Sequence, residues 1–464
     1  MINLMKAKKL FYFIVMLLLL NTAGAQIVQY PSPIDTAKKN ATDSVKKPVV
    51  VPSTLTFGLD MRTRFEVRHG YKSIPTADTA AAFQINQRTR FNVDYKSKNL
   101  DVFLSLQDAR VWGQQDPREG QTGTGSATPT TTYGIYMFEA YAEPKFGDKF
   151  SVRIGRQRVM YDNQRLFAED DWRLPGNSHD AIRLIYNNKI NFTTELLAAY
   201  NQSGENVFTT KYQPLVPNYK SLIVNYLNWK ATDKFTVTTI NAADGYQSSL
   251  PGKSNTTNER FTSGGRLEYS TYNWYVTFSG YYQYGKDSAG KKLGASYIQP
   301  EIRYTGGPLT VRVGFEYLSG ADSSTHPAKD KNFVPLYGVA HRFMGNLDYF
   351  ASFPSDVNGA GLFNPYVFIW YQKNKLLFRM ENHVFYSQSQ FVYKGTPQDK
   401  YLGFENDWRL NYKPSKITDL EVGFCWAAVT KSMTVIKKTG DTDAVPYFAY
   451  VSLKLTPTFG KLTF

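Results

Sequence analysis

From Thr54 to Arg68 the chain reads TLTFGLDMRTRFEVR, and this stretch restricts the possible folds more than any other. Leu55, Phe57, Leu59, Met61, Phe65 and Val67 fall on one parity, broken only by Thr63, while Asp60, Arg62, Arg64, Glu66 and Arg68 fall on the other. A period of two sustained for so long describes a β-strand with one apolar and one charged face. Strands of globular proteins average roughly 5–6 residues, whereas a tilted strand needs about 9–11 to cross a bilayer. The stretch is long enough to span a membrane. Its alternation leaves two folds open, a soluble sandwich that buries the apolar side and a membrane barrel that turns it to lipid.

The amino terminus narrows the choice. Lys6, Lys8 and Lys9 precede an apolar run from Leu10 to Leu20, and Ala23-Gly24-Ala25 follows before Gln26. That order is the pattern of a secretory signal peptide over residues 1–25, with no cysteine after the cleavage site to take a lipid anchor. Residues 26–53, rich in Pro, Thr, Ser, Lys and Asp, are expected to form a disordered periplasmic leader, and residues 54–464 an outer-membrane barrel. No other segment approaches ~18 consecutive apolar residues, so membrane insertion must use strands. The 33 Tyr and 31 Phe suit interfacial girdles, and a mean hydropathy of −0.40 suits a polar lumen and polar loops. A formal charge of +15, three units of it in the signal peptide, can indicate nucleic acid, an anionic membrane or an anionic solute. In a secreted, strand-rich chain nucleic acid is the weakest of these. The single cysteine, Cys425, allows no intramolecular disulfide and reads as a small apolar strand residue.

Alternating segments recur along the whole chain. At 83–95, Phe83, Ile85, Phe91, Val93 and Tyr95 oppose Gln84, Asn86, Arg88, Arg90, Asn92 and Asp94. At 100–112 the parity slips near Asp108 and Arg110, and a β-bulge there is expected to return both to the polar face. Continued to 446–456, the reading gives an all-β chain, a transmembrane antiparallel barrel of about eighteen strands. Short connections such as 144–148, 187–189, 231–234, 270–273, 373–374 and 413–416 alternate with long ones at 113–132, 162–178, 201–218, 245–259, 320–361 and 429–445. Short periplasmic turns alternating with long extracellular loops is the topology of outer-membrane barrels, and a sandwich gives no reason for it. The chain ends on an alternating strand and Phe464, which resembles the address read by the outer-membrane assembly machinery.

If the apolar parity faces lipid, the other parity lines the lumen. There Arg62, Arg64, Arg68, Arg88, Arg90, Arg153, Arg183, Arg379 and further bases nearly balance Asp60, Glu66, Asp94, Glu139, Glu143, Glu195, Glu381 and other acids. One reading is structural: opposite charges pair across strands and stiffen the wall. The functional reading concentrates on the first two strands, where Arg62, Arg64, Arg68, Arg88 and Arg90 outnumber the carboxylates and would stack into an anion-attracting ladder.

The run Ile154 to Leu166, IGRQRVMYDNQRL, continues through Asp171-Trp172-Arg173 to Asp180-Ala181-Ile182-Arg183-Leu184, and with Glu316 to Gly320 and His341 to Phe350 it resembles the alginate-export family of outer-membrane porins, in particular Bacteroidetes-type members. The resemblance implies passage of an anionic uronic-acid polymer through an Arg-containing lumen. By motif position that role falls on Arg153, Arg156, Arg158 and Arg183, although strict alternation from Val152 and Ile154 turns Arg156 to lipid unless Gly155 bulges. Two alternatives stay open: a diffusion porin for small anionic solutes, and a surface adhesion or assembly scaffold plugged by the segment 321–361. The expected partners are outer-membrane lipids, an anionic polysaccharide or small anionic solute, and the assembly machinery, with the barrel a monomer and no cofactor or metal. An enzyme is not expected, since the five histidines lie far apart. His383, beside Arg379 and Glu381, is the nearest to a catalytic arrangement and reads more plainly as a wall residue. Glu169-Asp170-Asp171 lacks the ligand spacing of a Ca²⁺ loop.

Overall fold

The computed structural model describes residues 52–113, 115–116, 121–122, 135–201, 218–248, 256–322 and 328–464. The expected signal peptide and all but the end of the expected leader lie outside the described residues. Every predicted strand is present. In chain order they are β1 (Thr54–His69), β2 (Ala82–Lys96), β3 (Leu100–Val111), β4 (Tyr136–Phe146), β5 (Phe150–Gln157), β6 (His179–Asn187), β7 (Phe192–Tyr200), β8 (Ser221–Lys230) and β9 (Phe235–Gln247). The second half comprises β10 (Thr257–Ser270), β11 (Trp274–Lys286), β12 (Lys292–Gly306), β13 (Leu309–Leu318), β14 (Leu362–Lys373), β15 (Leu376–Ser387), β16 (Tyr401–Ser415), β17 (Thr418–Val429) and β18 (Tyr447–Leu455).

Each strand pairs antiparallel with its sequence neighbours, and β1 closes the barrel by pairing with β18. A short extension, Thr458–Thr463, carries the last strand past Pro457 and pairs with the start of β1. Closure leaves no sheet edge exposed to lipid, which would strand unpaired peptide groups there. The short turns follow local chemistry: Asn188 Oδ1 accepts from the backbone N–H groups of Ile190, Asn191 and Phe192, each at 2.9 Å, and fixes the β6–β7 hairpin. Asn374, at φ 52°, takes the left-handed position of the two-residue β14–β15 turn.

The β2–β3 register runs unbroken from Asn86–Val111 to Lys96–Asp101, which corrects the expected bulge near Asp108. The irregularity sits in the neighbouring strand instead: β4 carries an extra residue where Ser105 opposes Glu139 and Leu106 opposes Met137, so Phe138 and Glu139 are both buried. Asp108 and Arg110 therefore stay on the outer face, paired with each other at 2.6 Å.

Two long connections turn back into the barrel. Residues 158–178, after β5, bury Val159, Tyr161, Leu166 and Phe167, and the described residues of the connection after β13, 319–322 and 328–361, bury Phe343, Met344, Leu347, Tyr349 and Phe350. They pack against inward residues of the wall, among them Leu197, Leu222, Val224, Ile240, Phe385 and Phe448. The apolar core of this molecule thus lies inside the barrel. Parity from the apolar face consequently misassigns part of the wall: on β9 the inward residues include Ile240 and Ala242, while Asn241 between them faces out.

Candidate pore and its constriction

The infolded connections meet each other across the lumen. Phe167 and Tyr337 form a parallel bridge, Tyr337 N donates to Leu166 O at 2.9 Å, Ala168 N to Tyr337 O at 3.1 Å, and Val339 N to Gln164 O at 3.1 Å. A Cβ on Gly338 would stand 1.8 Å from Arg165 O, so the two backbones approach as only glycine permits. Arg165 ties this ladder to the wall, with Nε 2.7 Å from Glu316 Oε1 and Nη1 3.1 Å from Val339 O. The ladder separates two chambers. One, about 880 Å³, is lined by residues at the extracellular strand ends, including His179, Tyr219, Tyr246 and Arg260. The other, about 610 Å³, lies toward the periplasmic ends and is lined by Tyr275, Arg303, Asn411, Asp419 and Lys454 among others.

The arginines of the first two strands are brought together, but around a segment of the same chain. Arg88 Nη1 lies 2.7 Å from Asp171 Oδ1 and Arg90 Nη1 3.2 Å from the same oxygen. Arg62 donates to the carbonyls of Asp171, Trp172 and Arg173, the last at 3.0 Å, and Arg64 to Trp172 O at 3.1 Å. The Arg64 guanidinium also lies 3.9 Å from the centroid of the Trp172 ring. Burial by itself would raise the Asp171 carboxyl, yet Arg88, Lys454 and Arg62 outweigh it and hold the group well below the usual carboxylate range. A charged Asp171 in an arginine clasp fixes residues 171–173 against the wall.

The other predicted arginines are distributed around the wall, each with a carboxylate. Arg68 bonds Glu66 at 2.6 Å, Arg153 pairs with Glu143 at 2.6 Å, Arg183 with Glu195 at 3.4 Å and Arg379 with Glu421 at 2.5 Å. Arg158 bridges Glu139 at 2.7 Å and Glu169 at 2.5 Å, at the root of the first infolded segment. Arg156 is the exception, because it shares the outer face with Ile154 and pairs there with Asp180 at 2.7 Å; Gly155 adopts φ 122° without reversing the alternation. Of the acidic triplet, Glu169 and Asp171 are engaged as above and Asp170 pairs with Arg173 at 2.7 Å. His383 is buried, with Nδ1 3.2 Å from Asn364 Oδ1.

In the periplasmic chamber most bases are matched as well: Arg266 with Glu268, Arg312 with Glu301, Arg409 with Glu381 and Lys454 with Asp60. Among the described residues Arg303 and Arg342 make no ion pair. Arg303 stands 4.2 Å from the centroid of Tyr275, and Arg342 is exposed to the chamber from the second infolded segment. Tyr366, Phe368 and Trp370 add an aromatic face, and the Arg312 guanidinium lies 4.7 Å from the Trp370 ring centroid. Sequence parity places Arg303 in the lumen, but nothing in the sequence separates an unpaired base from a paired one. The role of Arg342 was further hidden because it sits in a connection and not in a strand.

A family model for alginate export matches residues 53–351. Among solved structures, OccAB1 of Acinetobacter baumannii aligns with a TM-score of 0.58 at 12% identity, covering 88% of this chain and 97% of that one. A BenF-like porin from Pseudomonas fluorescens aligns with a TM-score of 0.58 at 13% identity, covering 87% and 99%. OccK2 (OpdF) of Pseudomonas aeruginosa, solved in complex with glucuronate, gives 0.56 at 10% identity, covering 88% and 98%. At such identities the likeness is one of fold. No curated protein matches the chain. Eighteen closed antiparallel strands, a lumen divided by infolded connections and a family match over more than half of the sequence agree: this is an outer-membrane channel, and the chain belongs to the alginate export family.

Proposed function

We propose that the channel passes small carboxylate-bearing solutes of the size of a sugar acid, and that in this conformation it is not a duct for an extended polysaccharide. The observation that carries the reading is the backbone ladder between residues 164–168 and 337–339, which crosses the lumen and leaves chambers of about 610 and 880 Å³ on its two sides. Pockets for small ligands run from roughly 300 to 1,000 Å³. A polymer would need the ladder opened along its whole width. Chemistry in the periplasmic chamber supports the same class, because the unpaired Arg303 and Arg342 match a carboxylate and the rings of Tyr275, Phe368 and Trp370 offer flat faces to a pyranose. The family name and the glucuronate complex of OccK2 support an acidic sugar, though each is a statement about other proteins. Planar-bilayer recording tests the proposal: glucuronate should interrupt the ionic current briefly and reversibly, and Arg303→Gln with Arg342→Gln should shorten each interruption about tenfold or more. Equal or stronger block by long oligouronates would favour the polymer, and absence of conductance would favour a scaffold.

A further inference from the structure

The periplasmic ends of β14, β15 and β16 form a groove on the outside of the barrel. Lys373, Leu376 and Tyr412 are partners across the three strands, and Tyr371, Phe378 and Leu410 are partners in the next row up. The buried Phe368, Glu381 and Asn411 fix the inward parity of these strands, so all six side chains face outward. The Phe378 ring stands edge-on to Trp408, 6.1 Å between centroids, and Trp408 lies a row nearer the extracellular side. Below it is a groove of about 430 Å³ lined by Tyr371, Leu376, Phe378, Leu410 and Tyr412, with Lys373 and Lys375 at its periplasmic end. Aromatic residues at this level are ordinary in a barrel. An apolar concavity among them is a shape that an acyl chain fills and water does not.

Two adjacent turns bring cations to the mouth of the groove. Lys373, Asn374 and Lys375 form the β14–β15 turn, and Lys413 and Lys416 lie at the β16–β17 turn. The turns touch: Lys413 N donates to Lys375 O at 2.9 Å, and Lys375 Nζ donates to Pro414 O at 2.6 Å. That bond occupies one of three ammonium donors and leaves the charge unmatched. Asp419 is the single carboxylate in residues 371–378 and 410–420, and it is already paired with Lys413 at 3.4 Å. Lys373, Lys375 and Lys416 are exposed, and none of them makes an ion pair among the described residues. The neighbouring β12–β13 turn, Gly307-Pro308, carries no charge.

We infer that this groove is a binding site for one anionic phospholipid of the inner leaflet, with its phosphate held by Lys373 and Lys375 and an acyl chain laid along Leu376 and Phe378. The depth agrees. Phe378 is four residues above Asn374, which at a rise of ~3.3 Å per residue and a tilt of ~45° is roughly 9 Å, the step from headgroup level into the acyl region. The charge agrees as well, because an anionic headgroup matches the unpaired lysines whereas a zwitterionic one brings an ammonium of its own against them. The site lies outside the lumen and is independent of the solute that the channel passes.

The test uses the full chain, delipidated in mild detergent and offered equimolar phosphatidylglycerol and phosphatidylethanolamine, with retained lipid read by native mass spectrometry. The wild type should hold one phosphatidylglycerol in about tenfold or greater preference, and glycerol phosphate, which lacks the chains, should not displace it. Lys373→Gln with Lys375→Gln should bring the preference close to one while keeping the heat-modifiable mobility of a folded barrel. Lys98→Gln with Lys149→Gln, at exposed lysines of the β2–β3 and β4–β5 turns, should leave it unchanged. Leu410→Trp, which fills the groove, should reduce retention of both lipids. Equal retention of the two lipids by the wild type, displacement by glycerol phosphate, an equal loss in both lysine pairs, or undiminished retention in Leu410→Trp would overturn the inference. Should the variant at Lys373 and Lys375 fail to assemble, the competition on the wild type decides the question alone.

Discussion

The walls formed by β1–β3 and by β7–β9 hold the same infolded segment, residues 158–178, by opposite means. At β1–β3 the wall is mostly apolar outside, apart from the Asp108–Arg110 pair, and basic inside, and Arg62, Arg64, Arg88 and Arg90 grip the segment through Asp171 and through the carbonyls of residues 171–173. At β7–β9 the inside is apolar, and Leu197, Leu222, Val224 and Ile240 belong to one buried cluster with Val159, Tyr161 and Phe167 of the segment. One wall resembles a porin lumen and the other the interior of a soluble protein. The contrast shows that a period of two assigns residues to two faces without saying what each face meets. What it meets is decided by connections distant in sequence, here about eighty to a hundred residues beyond β1 and β2.

The apolar grip should be the stronger. Phe167 is fully buried, with ring centroids 5.6 Å from Tyr161 and 5.7 Å from Tyr337. Phe167→Ala should cost about 3–5 kcal/mol of segment docking, the usual range for emptying such a site. The wall strands are untouched, so the barrel should still assemble. Limited proteolysis of residues 158–178 and single-channel conductance should both rise several-fold. An unchanged conductance would mean that the arginine clasp suffices, and would reverse the ranking of the two walls.

A second comparison concerns the two faces of one strand. Leu59 faces lipid on β1 and Gly58 faces the lumen, where an added Cβ meets nothing nearer than Pro457 O at 3.4 Å. Leu59→Arg should destabilise the assembled barrel by about 2–4 kcal/mol if it sits near the midplane, and Gly58→Arg by much less. Urea unfolding in detergent or lipid measures both. Equal losses would remove the basis for calling the odd parity of β1 lipid-facing.

How far the sequence alone discloses the molecule follows from the same contrast. The strands and the alternation of turns and loops were legible because each rests on local patterns such as TLTFGLDMRTRFEVR or the Asn188 turn. The arginine ladder was legible as an inward cluster. Its engagement was not, because Asp171 lies 83 residues from Arg88 and 109 from Arg62, in a connection without periodicity. The apolar interior of β7–β9 was hidden for a related reason: alternating Ile240, Asn241 and Ala242 reads identically whether the apolar side meets lipid or an infolded loop. The orientation of Arg156 is ambiguous from alternation alone, since Gly155 does take a left-handed φ, and only the register with Asp180 resolves it.

The smallest predicted effect isolates the charged grip. Asp171→Asn removes the carboxylate shared by Arg88, Arg90 and Lys454 but leaves the Arg62 and Arg64 bonds to backbone carbonyls and the whole apolar contact. The segment should stay docked, with one negative charge removed and Arg88 and Lys454 left to Asp60 alone, so reversal potentials in a salt gradient should shift toward anions while conductance changes little. The pH dependence follows from linkage. Because the folded carboxyl titrates below its ordinary value, its contribution to docking is fully present above about pH 4 and fades only as the pH falls through the lower folded value. Wild type and Asp171→Asn should therefore differ in selectivity by a constant amount from pH 7 to about pH 4.5 and converge in stronger acid. Convergence already between pH 6 and 5 would show that Asp171 is not held in its charged form by Arg88 and Lys454, and that the apolar wall alone keeps the segment in the lumen.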